Sequence, residues 1–385
     1  YPPVQLRARN FDGKSVAYMP HNRWIDGSVH DDIPKEKVNR LHNINHYIVS
    51  QTNPHVLPFI SEEIEDTGVI PFIQDIIVKA PMVQIEHLLE LVQQHFEIPG
   101  IGTPLEITRN DVANTAATFL FAVQKSAEVF RYIESKKGPD SFIPEISMDE
   151  TVSPQTPPEL LVILAAIADE NIPIQTIAPK FSGEFHKGVD YIGDPQIFAR
   201  EFDEDLCVIA HAVATYGLPQ NLKLSVHSGS DKFSIYPTIR QSLQKRNAGV
   251  HLKTAGTNWL EELIGLAEAG GEGLAIAREI YAQSLARIDE LSEPYATVVD
   301  IDRSQLPPAG TVTSWSASEF ADALRHDHSC ATFNPHLRQL LHIGFKIAAE
   351  MGPRYIAALE SCANSITRNT TTNLVDRHLK PLLIG

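Results

Sequence analysis

Leu222-Lys223-Leu224-Ser225-Val226-His227 decides how this chain is read. Successive side chains of a strand point to opposite faces, so Leu222, Leu224 and Val226 share one face and Lys223, Ser225 and His227 the other. An apolar face for packing on helices, opposite a polar face that ends in an imidazole, is the pattern of a barrel strand with chemistry at its C-terminal end. Val250-His251-Leu252-Lys253 repeats it, with His251 and Lys253 opposing Val250 and Leu252. Thr176 and Lys180 share a face in the run Ile174 to Lys180, as do Ser147 and Asp149 in Ile146 to Asp149. With the apolar faces on surrounding helices, the four polar faces converge on one lumen.

Working outward, short strand-like runs alternate with longer helical ones from Ser141 onward, which is the signature of βα units. The run Phe142 to Glu150 leads through a Thr/Ser/Pro loop into a helix from about Pro158 to Glu170, whose nearly all-round apolar surface implies burial. Ile172 to Phe181 reads as a strand, Gly183 to Gly193 as a loop, and Asp194 as the cap of a helix from Pro195 to about Tyr216. Strands at Leu222 to Ser228 and Gly249 to Thr254 are each followed by a helix, the second extending to about Leu291 with a break at Gly270-Gly271. Tyr295 to Ile301 reads as a further strand, and the region from Pro335 as helices. In the first hundred residues, Ser15 to Met19 reads as a strand and Val83 to Phe96 as a helix. The expected architecture is α/β, a TIM-type (β/α)8 barrel with additional helices in the N- and C-terminal regions. It is expected as one catalytic domain over residues 1–385, with the site-bearing units at 141–302, C-terminal helices at 335–385 and the least distinct patterning in residues 1–100.

Composition narrows the partners. The chain has 385 residues, 43% of them hydrophobic, enough for a large core. Its formal charge of −16, with no Lys/Arg-rich block, repels phosphate backbones and anionic lipid surfaces, so neither nucleic acid nor membrane is expected as a partner. A small molecule is expected instead, and an anionic one would need positive charge concentrated in its site. Cys207, Cys330 and Cys362 are too dispersed for a disulfide framework or a CxxC metal site, which points to a reducing compartment. No run of 18 apolar residues and no signal-like opening is visible, so a cytoplasmic location is expected.

At the rim of such a barrel stand Asp149, Glu150, Lys180, Glu184, His227, His251 and Lys253. Two imidazoles and a carboxylate suit a catalytic divalent cation with open positions for substrate oxygens, and zinc, manganese, cobalt and nickel all accept such donors. Either histidine taken alone reads more simply as a hydrogen-bonded structural residue; the polar companions on neighbouring strands favour the ligand reading. Asp149-Glu150 also suits a solvated turn or helix cap. Lysines in a lumen require a bound anion or a carboxylate partner. The turn His227 to Phe233 suits either an oxyanion cradle of backbone N–H groups or a plain strand-to-helix connection. His326-Asp327-His328 reads as a surface feature.

Several stretches carry a family resemblance: ISMDE with TPPELL, QTIAPKFSGEFHKGVDYIGD, LPQNLKLSVHSGSDKFSIYPTI, HLKTAGTNWLEELIGLAEAGGEGLAIAREIY and RQLLHIGFKIAAEMG. Over most of Phe142 to Gly352 the chain resembles the tagaturonate epimerase family. The resemblance implies a barrel enzyme that interconverts tagaturonate and fructuronate with a divalent cation. Carried over by motif, it implies Glu150, His227 and His251 as metal ligands, Asp149 as proton acceptor and Glu184 as proton donor. Strand alternation points Asp149 into the lumen and Glu150 away from it, so these two could exchange roles. Lys180, Lys232 and Lys253 are candidates to hold a substrate carboxylate. The rival readings are a metal-dependent retro-aldol epimerase, aldolase or ketose isomerase, and a non-catalytic barrel that binds a sugar acid.

Overall fold

Capping and burial explain where the elements begin and what they cover. The computed structural model describes residues 7–9, 15–17, 48–49, 88, 90–91, 95–149, 151–227 and 229–384. They fall into two compact units, Tyr1–Phe181 with Glu204–Ser225, and Ser182–Asp203 with Val226–Gly385.

In the first unit, β1 (Arg7–Arg9) and β2 (Ser15–Ala17) pair antiparallel. Strand β3 (Ile48–Val49) lies in a parallel ladder described below, and β4 (His95–Phe96) pairs antiparallel with β5 (Leu105–Glu106). Helix α1 (Arg109–Thr115) opens on a capping box between Thr108 and Asp111, and α2 (Phe121–Lys137) ends at Gly138, whose φ of 88° suits glycine. Then β6 (Ile143–Ser147) leads into α3 (Pro157–Asp169), which starts on a second capping box, Thr156 with Glu159. Leu160 to Ile167 are all buried, as an all-round apolar helix requires. Strands β7 (Thr176–Ala178) and β8 (Lys223–Val226) continue the ladder, whose order here is β3–β6–β7–β8, all parallel. Its register sets Glu145 opposite Thr176 and Ser147 opposite Ala178, and Thr176 Oγ1 donates to Glu145 Oε2 at 2.7 Å. Helix α4 (Pro195–Tyr216) begins where Asp194 Oδ1 accepts the Gln196 N–H at 2.8 Å, as expected.

The second unit holds α5 (Tyr236–Arg246), β9 (Val250–Leu252), α6 (Ala255–Ala269) and α7 (Gly271–Ala286). Gly270, at φ 72°, makes the anticipated break between the last two. Helices α8 (Ile288–Ser292), α9 (Ala309–Ser314), α10 (Ala317–Leu324), α11 (Pro335–Ile343), α12 (Phe345–Met351), α13 (Pro353–Ser361), α14 (Ala363–Thr371) and the wider-wound α15 (Thr372–Ile384) follow. Their core includes Leu260, Leu263, Ile264, Ile280, Leu337 and Leu340. Gly265 permits close crossing of α6 and α14, because a Cβ there would lie 2.6 Å from Ile366 Cα.

Three expectations change. Tyr295 to Ile301 is not a strand: Pro294 closes the preceding helix in a 3₁₀ turn, Val298 N–H returns to Tyr295 O at 2.9 Å, and Tyr295 to Thr297 are exposed. Its β-branched residues signalled a strand, but its backbone closes a turn instead. The helix expected over Val83 to Phe96 does not reach its end, since His95–Phe96 is β4; Leu88 and Glu90 are helical, and most of that segment lies outside the described residues. Of Ser15 to Met19, the last two residues also lie outside them. Among the described residues the parallel ladder is open, so the fold they show is α/β and stops short of a closed eight-stranded ring. No helix among them is long and apolar enough to cross a membrane.

Candidate active site

In the first unit the segment after β6 is fixed by hydrogen bonds of hydroxyl, amide and backbone donors. Met148 N–H prolongs the ladder to Ala178 O at 2.7 Å, and Ser147 Oγ donates to Asp149 Oδ1. Thr151 Oγ1 donates to Met148 O at 2.8 Å, Gln155 Nε2 to Thr151 Oγ1 at 2.7 Å, and Gln155 Oε1 accepts the Lys180 N–H at 2.8 Å. Asp149 and Lys180 each stand two residues beyond the register pair Ser147–Ala178, so both leave the same end of adjacent strands, half-buried. Glu150 lies outside the described residues.

In the second unit Glu184 sits on a short hairpin, its N–H on Ile192 O at 2.7 Å and its carbonyl accepting from Ile192 N at 3.3 Å. Gly183 is at φ 91°, and a Cβ there would lie 2.5 Å from Tyr191 Oη, which donates to Ser182 O at 2.9 Å. The Glu184 side chain is exposed, with Oε2 2.9 Å from His186 Nε2. Two buried cations hold this hairpin by its carbonyls. Lys232 Nζ donates to His186 O at 2.8 Å and Val189 O at 2.5 Å, and Arg338 Nε donates to Gly188 O at 2.6 Å. Lys232, a candidate substrate ligand by sequence, is 0% exposed and committed to these carbonyls, so its place is that of a clasp. Burial pushes its ammonium down to about 7, against the opposing pull of Asp231 and Asp190.

His227 follows β8 directly and is buried; His251 is the middle residue of β9 and Lys253 comes just after it, both half-buried. Among the described residues no three His, Cys, Asp or Glu side chains gather closely enough to hold a metal ion. In the turn after His227 three backbone donors are engaged within the protein, which leaves them unavailable to an oxyanion. Gly229 N–H goes to Val226 O and Lys232 N–H to Gly229 O, both at 3.3 Å, and Asp231 N–H goes to His378 Nε2 at 3.3 Å.

Asp231 anchors that turn at φ 65°. Arg338 Nη2 lies 2.5 Å from its Oδ2, His326 Nδ1 3.4 Å from Oδ2 and His378 Nε2 3.5 Å from Oδ1. Burial alone would raise this carboxyl, but Arg338 and the two imidazoles outweigh it and hold it well below the usual range. His326 is 1% exposed, which corrects its reading as a surface feature: its partner lies 95 positions earlier in the chain, out of reach of any local pattern. His186, Asp231 and Arg338 were the residues missed. His186 had a signal, since it stands two positions from Glu184 and can share its face.

Parallel strands followed by helices, with Asp149, Lys180 and His227 in the segments that leave their C-terminal ends, place the chain in the α/β class, whose sites lie on strand-end loops. Residues 81–352 match the model of the tagaturonate epimerase family. The chain belongs to that family. It is 29% identical over 204 residues to the tagaturonate/fructuronate epimerase of Thermotoga maritima, covering 53% of this chain and 39% of that protein. The glycerol-complexed crystal structure of fructuronate-tagaturonate epimerase UxaE from Cohnella laeviribosi superposes with a TM-score of 0.65 at 21% identity, over 90% of this chain and 66% of that one. The chain thus spans less than two thirds of either relative. A shorter likeness, 38% over 68 residues, links 14% of the chain to 8% of triacylglycerol lipase SDP1L of Arabidopsis thaliana.

Proposed function

We propose that this chain is an epimerase on a (β/α)8 barrel, interconverting tagaturonate and fructuronate by proton removal and return at the carbinol carbon beside the ketone. The observation that carries this reading is the family match over residues 81–352, a span containing Asp149, Glu150, Glu184, His227 and His251. Inversion needs one group to take the proton from one face and another to return it on the opposite face. Asp149, hydrogen-bonded by Ser147, is the acceptor; Glu184, 2.9 Å from His186, is the donor, with the imidazole as a partner for its proton. Lys180 and Lys253 are the ammonium groups available for the substrate carboxylate, which reconciles an acidic chain with an anionic ligand. His227 and His251 with Glu150 form a donor set suited to zinc, manganese, cobalt or nickel. When bound, such a cation stabilises negative charge developing on the ketone oxygen.

The test is incubation with tagaturonate and divalent cation in deuterated water, followed by NMR of the sugar acid. Fructuronate with deuterium at the inverted carbon is expected. Fructuronate without deuterium would favour carbon–carbon cleavage and re-formation, and no fructuronate in the presence of any of the four cations would reject the substrate.

A further inference from the structure

The second unit contains a cavity of about 490 Å³ outside the residues assigned above, walled by Asp190, Phe233, Glu261, His326, Asp327, Asn373 and Arg377 and edged by Thr372. That volume lies within the range of small-molecule sites. Three features of the wall select a ligand.

Arg377 is the first. Its guanidinium lies 4.4 Å from the centroid of the Phe233 ring, and one nitrogen donates to the His326 carbonyl. Arg325, Arg338 and Arg368 nearby each rest on a carboxylate, at 2.5, 2.5 and 2.7 Å, whereas Arg377 forms no ion pair with any described residue. A planar fork fixed by stacking, on which Asp231 and Glu261 act only from beyond ion-pair distance, suits a carboxylate or phosphate.

Asn373, four residues earlier on α15, is the second. It is 1% exposed, yet neither its amide nitrogen nor its amide oxygen has a hydrogen-bond partner among the described residues. Each such buried group costs about 1–3 kcal/mol until something satisfies it. Donor and acceptor together match an oxygen-rich ligand.

Asp190 is the third. Its Oδ1 accepts from Tyr191 N, Ser234 N and Ser234 Oγ, at 2.7, 3.2 and 2.9 Å, which fixes the carboxylate in the wall and leaves its other oxygen to accept from a hydroxyl. A ligand with several hydroxyls gains more from such an acceptor than a small inorganic anion does. The imidazoles of His326 and His328 approach at 3.2 Å between Nε2 atoms, but the adjacent guanidinium disfavours a metal cation between them.

We propose that this cavity binds a polyhydroxy carboxylate, with Arg377 and Asn373 taking the carboxylate and Asp190 a hydroxyl. The proposal stands apart from the epimerase reading, so its probe is gluconate, a sugar acid with no ketone to epimerise. Titration calorimetry is run on the full chain, with proton NMR following the His326 and His328 ring signals, assigned through His328→Gln. Gluconate is expected to bind and to shift those signals. Arg377→Gln should weaken it at least tenfold, and Thr372→Trp, which fills the mouth from an exposed position, should do the same without touching the fold. If Arg377→Gln does not fold, Thr372→Trp carries the test alone. Equal gluconate affinity in folded Thr372→Trp, or binding that leaves both imidazoles unmoved, would overturn the site. Inorganic phosphate binding in place of gluconate, with the same losses, would overturn the carboxylate assignment.

Discussion

Asp149 and Glu184, the proposed base and acid, stand on segments held in opposite ways. Residues 147–155 are tied by hydroxyl and amide groups: Thr151 on Met148 O, Gln155 on Thr151, and Lys180 N–H on Gln155. Residues 182–194 are tied by buried cations, with Lys232 on two carbonyls and Arg338 on a third. A neutral hydrogen bond contributes about 1 kcal/mol net and does not titrate at ordinary pH. A buried cation carries a large desolvation cost that only well-placed partners offset. The first segment therefore rests on several small interactions, and the second on a few large ones that single substitutions or pH can upset.

The largest expected effect follows from Arg338, which joins Gly188 O, Leu324 O and Asp231 while fully buried. Arg338→Met leaves Asp231 ionised and buried without its main counter-ion and should cost about 3–5 kcal/mol in urea unfolding. Replacing Asp231 by Asn in the same chain, which removes the charge and keeps a residue suited to φ 65°, should recover much of that loss. If the double variant is as unstable as the single, Arg338 stabilises the fold chiefly through its bond to the hairpin carbonyl and not through the ion pair.

Lys232 sharpens the contrast through pH. Burial lowers its folded pKa to about 7 from the ordinary 10.5. Between those values the unfolded chain holds a proton that the fold does not, so stability rises with pH across that window and is flat below it. The slope is about 1.4 kcal/mol per pH unit at most. Lys232→Met should abolish that rise and speed hydrogen exchange of the 182–194 amides without affecting those of 147–155. An unchanged pH dependence of the unfolding midpoint would show that the ammonium does not feel its burial.

The same division explains what could be read from sequence. The helix Pro195–Tyr216, the span of Pro157–Asp169 and the break at Gly270 follow from neighbouring residues, and sequence located them closely. The positions leaving β6 and β7 were legible too, because strand alternation is local. Lys232 and His326 were misread because their partners lie about 45 and 95 positions away: His186 and Val189 for the one, Asp231 for the other. Charge clusters of that kind are assembled by the fold, and a lysine in a polar turn looks the same in sequence whether it clasps a loop or meets a ligand. The strand read at Tyr295 to Ile301 failed for a different reason, since β-branched composition says nothing about whether a neighbouring strand is there to pair with it.

The smallest effect is expected on the neutral side. Thr151→Val keeps the shape of the side chain but removes the donor to Met148 O and the acceptor for Gln155 Nε2. A loss of about 1 kcal/mol is expected, equal at pH 6 and pH 9 because no group involved titrates between them. Gln155 should still hold the Lys180 N–H, so amide exchange at Lys180 should change less than at Thr151 itself. A cost approaching that of Arg338→Met would show that the two segments are not held differently after all. It would mean that the Asp149 segment is one cooperative network in which Thr151 is the keystone, and that neutral bonds there act together rather than as separate small contributions.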